Sequence, residues 1–150
     1  MSKKIFGLVI LLAAGITAVA PVTNAQEMCG STAQLCAAHI VAPFVSDGQT
    51  YRAFVTAGQD AEFHATFFAG TTYRIAGATG ETEGNLIFSL YSYDPNTGQR
   101  DMIYTNSQHN NAPYWDFKVN TTVEVAITAT LNPASGKESG CAVVLVGFKQ

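Results

Sequence analysis

The sequence predicts an all-β fold: an antiparallel β-sandwich of about eight strands, jelly-roll-like, with one short N-terminal helix. Three observations carry this reading. From Trp115 to Leu131 every odd position is apolar or Thr, and the even positions between them are nearly all polar. Such alternation marks a half-buried strand, because successive side chains leave it on opposite faces. Short strand-like runs separated by turn residues recur from Tyr51 onward, the pattern of sandwiches and barrels. The last run, Cys141–Phe148, is apolar on both parities, so it needs a cover on each side. The facing sheet supplies one cover, and the N-terminal helix is the candidate for the other.

The chain begins with Lys3 and Lys4, an apolar run from Ile5 to Ala20, and small residues ending at Ala25. This is the pattern of a secretory signal peptide of bacterial type, residues 1–25, cleaved before Gln26. The rival reading, a membrane anchor, needs about 20 apolar residues, and Gly15, Thr17 and Pro21 weaken it. The expected product is a single domain, 26–150, periplasmic or extracellular, with no membrane attachment after cleavage. It keeps six basic and eleven acidic residues, a net charge of −5. With no basic run left, nucleic acid is not an expected partner.

Ser31-Thr32-Ala33-Gln34 fits a capping box, and Ala33, Cys36, Ile40 and Phe44 recur behind it at helical spacing. The predicted helix is 31–42, stopped by Pro43. Export permits a disulfide, and three cysteines leave one unpaired. Cys36, on the apolar side of that helix, is the preferred partner of Cys141, with Cys29–Cys141 second. A helix starting as early as Cys29 would set Cys29 and Cys36 two turns apart, out of mutual reach.

Asp47-Gly48-Gln49 reads as a turn before the first strand, 51–56. Strands follow over 61–68, with Phe63, Ala65 and Phe67 on one face, and over 72–78, with Tyr73 and Ile75 inward. Leu86–Tyr93 directs Leu86, Phe88 and Leu90 to one face and Tyr91 and Tyr93 to the other. Asp94-Pro95-Asn96-Thr97-Gly98 is a turn, and 101–106 a short strand. As one strand, 115–131 would span roughly 56 Å at about 3.3 Å per residue, so it is expected to break near Val119–Thr121, either by a bend or by crossing between sheets. Trp115 shares the core parity of Phe117 and Val119.

Phe68-Ala69-Gly70-Thr71-Thr72-Tyr73-Arg74-Ile75 and Gly84-Asn85-Leu86-Ile87-Phe88-Ser89-Leu90-Tyr91, with the turn Asp94–Gly98, resemble the two Gly-punctuated strands of the pre-peptidase C-terminal (PPC) type of β-sandwich, over about residues 61–131. That resemblance implies a jelly-roll-like appendage of a secreted protein that binds or assists folding and is not itself a catalyst. The acidic pair such domains carry before the Leu is replaced here by Glu83 and Asn85.

Candidate sites are few. Glu81, Glu83 and Asn85 offer oxygens on a Gly-containing loop, and calcium is the one cofactor such a loop could take; the other reading is a solvated acidic loop. His39, His64 and His109 are far apart and lack metal spacing. There is no G-x-S-x-G and no C-x-x-C, so no catalytic residue is assigned. Tyr91, Tyr93 and Tyr114 lie on outward parities and could stack a sugar ring, with Asn110 and Asp116 as hydrogen-bonding neighbours. Equally, tyrosines suit pleated sheets in general. Asn120-Thr121-Thr122 matches a glycosylation sequon and is set aside for a bacterial leader. The expected role is an exported, non-enzymatic accessory or interaction domain with a protein or glycan partner at the cell exterior. The second reading is a carbohydrate-binding module, and the third a hydrolase with its acidic and His residues converging in one cleft.

Overall fold

In the computed structural model, which describes residues 24–150, a helix α1 (Asn24–Ala37) precedes eight strands. They are β1 (Val45–Thr56), β2 (Asp60–Phe67), β3 (Thr72–Thr79), β4 (Leu86–Tyr93), β5 (Arg100–Thr105), β6 (Tyr114–Lys118), β7 (Val123–Leu131) and β8 (Ser139–Lys149). They pair into two antiparallel sheets, β1-β8-β3-β6 and β2-β7-β4-β5. The leader read over residues 1–25 lies, apart from its last two positions, outside the described residues.

Side-chain parity builds the layers. Tyr73 and Ile75 of β3, Val144 and Val146 of β8, Phe88 and Leu90 of β4 and Val125 and Ile127 of β7 are buried together between the sheets. The opposite parity of β3 and β8 (Ala76, Ala78, Cys141, Val143, Leu145) is buried under α1 against Cys29, Ala33 and Cys36. β8 is therefore apolar on both faces because it is covered on both. Each fully buried aliphatic side chain there contributes about 1.5–3 kcal/mol of transfer free energy. Gly147 lets the chain after the helix come close, since a Cβ there would lie 2.7 Å from Ile40 Cγ2.

The long alternating stretch breaks where expected, and by crossing. β6 belongs to the first sheet and β7 to the second. Val119, 1% exposed, pins the crossing. Its N–H donates to Thr71 O at 3.0 Å, and its carbonyl accepts from Gly70 N–H at 2.8 Å. Trp115 is half-buried against the inter-sheet core and stacks on Tyr104 and Phe117, with centroids at 4.2 and 5.2 Å.

Three local expectations are corrected. The helix is 24–37, not 31–42: Cys29, Ala33 and Cys36 make one stripe that carries it through the capping signal at Ser31. The disulfide is Cys29–Cys141, and the preferred Cys36–Cys141 pair does not form. Cys36 is instead a buried free thiol that donates to Val143 O at 3.4 Å, two residues beyond the bridge on the same face of β8. Asp47-Gly48-Gln49 is a bulge inside β1, between the paired positions Ser46 and Thr50. Gly48 takes φ +81°, and the Ser46 and Asp47 side chains accept the N–H groups of Gly48 and Gln49. Turn chemistry of this kind also serves a bulge. β8 lies between β1 and β3.

Candidate functional site

The predicted site residues fall on separate surfaces. Tyr91 and Tyr93 face outward from the second sheet. Tyr93 packs edge-on against His64 at 5.0 Å and under the Arg100 guanidinium at 5.3 Å. Arg100 is held in turn by Glu62, at 2.6 and 2.8 Å. Tyr114 and Asp116 lie on the outer face of the other sheet, beside α1. There Arg74 sits between the Phe44 and Tyr114 rings, at 4.2 and 4.4 Å, and donates to both Asp116 oxygens at 2.7 and 3.0 Å. Asn110 stands in the β5–β6 connection with φ +55°. The three tyrosines thus sit on opposite outer faces of the sandwich and form no common platform.

In the loop before β4, Glu83 is bonded to His39 Nε2 at 2.6 Å, and Glu81 is exposed. Asn85 accepts Asn132 N–H through its carbonyl. Among the described residues, no group of three or more His, Cys, Asp or Glu side chains is placed to hold a metal ion.

A different place gathers chemistry. Where the edge strands β1 and β2 part at one end of the sandwich there is a cleft of about 760 Å³, in the size range of ligand sites. Buried and half-buried rings floor it: Phe67 and Tyr73, stacked at 4.3 Å, with Tyr51 and Phe148. The β1 bulge brings Asp47 to one lip. His64, Thr66 and Glu124 stand on the other, where β2 pairs with β7. Phe68 is 59% exposed at the cleft. It follows Phe67, where alternation calls for a polar residue.

The electrostatics follow from partial desolvation. It raises Asp47 above the usual aspartate range although the residue is largely exposed, and it outweighs the Gln49 N–H that favours the carboxylate. The Tyr51 phenol is raised too, by desolvation first and by the Asp47 charge second.

The two carboxylates and the imidazole at the cleft are already engaged: Asp47 with Gln49 N–H, His64 with Glu62 at 2.7 Å, Glu124 with the Thr66 hydroxyl at 2.7 Å. Their hydrogen bonds build no nucleophile–base–orienter relay of the kind hydrolysis by acyl transfer uses. Sequence reading missed this cleft because its lips come from residues 47, 64, 68, 124 and 148, which only the pairing of β1, β2, β7 and β8 brings together. The one local signal was the Phe67-Phe68 doublet.

Compared with known proteins, the chain matches no protein-family model and no curated sequence. Among solved structures it is similar to PliG of Aeromonas hydrophila, a periplasmic lysozyme inhibitor of g-type lysozyme. The TM-score is 0.51 at 14% sequence identity, over 67% of this chain and 85% of PliG. At that identity the likeness establishes the fold: a two-sheet β-sandwich shared with a periplasmic protein.

Proposed function

We propose that this chain is an exported, non-catalytic protein-binding domain whose partner is a lysozyme-type glycan hydrolase, which it inhibits. The observation that carries the reading is the sandwich shared with PliG over 85% of that inhibitor's length. Two features support it. The leader read over residues 1–25 and a disulfide closing a separation of 112 residues suit an oxidising compartment outside the cytoplasm. No helix among the described residues is long and apolar enough to cross a membrane. The tyrosines divide between two faces, so a protein surface fits this domain better than a single sugar ring does.

The test is inhibition of g-type lysozyme in a peptidoglycan-clearing assay, with calorimetry of the mixed proteins. The expected result is loss of lytic activity that saturates near one molar equivalent. Undiminished clearing at tenfold molar excess, with no heat of binding, would remove the proposal.

A further inference from the structure

We propose that the β1/β2 cleft seats a cationic side chain, arginine or lysine, presented by a loop of the protein partner. The choice of a protein partner rests on the function proposed above; the preference for a cation comes from the cleft itself.

Twice the chain places a guanidinium against aromatic rings and fixes it with a carboxylate. Arg74 lies between Phe44 and Tyr114 and is bonded to Asp116; Arg100 lies over Tyr93 and is bonded to Glu62. Ring faces carry the negative part of the aromatic quadrupole, and a bidentate carboxylate fixes the guanidinium plane. The cleft gathers the same kinds of receiving group. Tyr51, Phe68 and Phe148 supply rings, and Asp47 and Glu124 supply carboxylates, while no Lys or Arg among the described residues lines it. Glu124 keeps one oxygen beyond the one bonded to Thr66.

Asp47 behaves as a carboxylate without a counter-charge, since burial moves it upward and no cation is among the causes of the shift. Phe68, 59% exposed beside the cleft, offers the apolar contact that a partner backbone would cover. A volume of about 760 Å³ admits a side chain together with the loop that bears it.

The experiment uses the purified ¹⁵N-labelled protein, titrated with N-acetyl-arginine amide and, separately, N-acetyl-glutamine amide as the neutral counterpart. Amide shifts at Tyr51, Thr66, Phe68 and Phe148 are expected with the arginine probe only. They should weaken with added salt and vanish in the Asp47→Asn/Glu124→Gln double variant. Equal responses to the two probes, shifts scattered away from the cleft, or shifts that survive in the double variant would overturn the inference. The probe comparison on the unaltered protein decides the matter even if the double variant folds poorly.

A second arm separates this inference from the functional one. If g-type lysozyme is inhibited, the double variant should weaken inhibition by about tenfold or more, as loss of one side of a charge pair does. Inhibition left unchanged by the double variant sinks the cleft and spares the function. Arginine mapping to the cleft without lysozyme inhibition does the reverse.

Discussion

Breaking the Cys29–Cys141 bridge should cost the domain a large part of its stability. The bridge spans a separation of 112 residues, nearly the whole described chain. In the chain-entropy account, closing a loop of that size removes about 16 cal/mol/K from the unfolded ensemble, or about 5 kcal/mol at 25 °C. This is a ceiling, since measured losses run from about 2 to 5 kcal/mol. Against an unfolding entropy of about 2.1 cal/mol/K per residue, that ceiling is a fall in Tm of roughly 18 °C. In that account the loss acts through the unfolded state, and the packing of α1 on β3 and β8 is not its source. The assay is urea unfolding of the parent and of the Cys29→Ala/Cys141→Ala double variant, with the parent also measured under reductant. The double variant and the reduced parent should share one midpoint below that of the oxidised parent, at similar slope. Cys36→Ala is the control and should not respond to reductant differently from the parent. Coincident midpoints for oxidised parent and double variant would refute the reasoning, and so would a reductant response that disappears in Cys36→Ala.

Three further outcomes are expected. The Cys36 thiol, pushed up to about 12 by burial first and by the Glu83 charge among the lesser causes, should resist alkylation at neutral pH until the protein is unfolded; rapid labelling of native protein, read by mass spectrometry, would contradict its placement. Asn106 is 1% exposed; its side chain accepts Phe88 N–H at 3.0 Å and donates to Leu86 O at 2.9 Å. Asn106→Ala, measured by chemical denaturation, should therefore cost about 2–5 kcal/mol, as two buried backbone groups lose their partners. Hydrogen bonds from Arg100 hold Glu62 below the usual glutamate range. A depressed carboxylate contributes stability above its unfolded value that is lost as pH falls through the folded one. The Tm difference between parent and Glu62→Gln should thus shrink on acidification below about pH 4.3; a difference that grows there would reverse the sign of the argument.

Much of the sandwich was legible because burial imposes a period of two. β4 occupies the predicted 86–93, the 115–131 run breaks at Val119, and the double-sided apolarity of β8 foretold a cover on each face. What sequence could not resolve is choice among local solutions of similar energy. A capping box at Ser31 competes with an apolar stripe that continues to Cys29, and packing on β3 and β8 favoured the stripe. The same Asx and Ser hydrogen bonds at 46–49 serve a turn or a bulge, and only the neighbouring β8 register decides. Parity says that Tyr91, Tyr93 and Tyr114 point outward. It cannot say which of two outer faces each one reaches, because that depends on which sheet its strand joins. The cleft was hidden for the same reason: Asp47 and Glu124 are far apart in sequence and come together only through topology.

β8 comes last among the described elements yet lies in the middle of its sheet, between β1 and β3. Its partners start about a hundred positions earlier, with Val45 opposite Phe148. Until it arrives, β1 and β3 have no neighbour in common and α1 has half of its seat missing. Loop closure on that scale must precede any reward from pairing, which slows assembly. The same strand completes both hydrophobic layers, between the sheets and under α1, and brings Cys141 to Cys29.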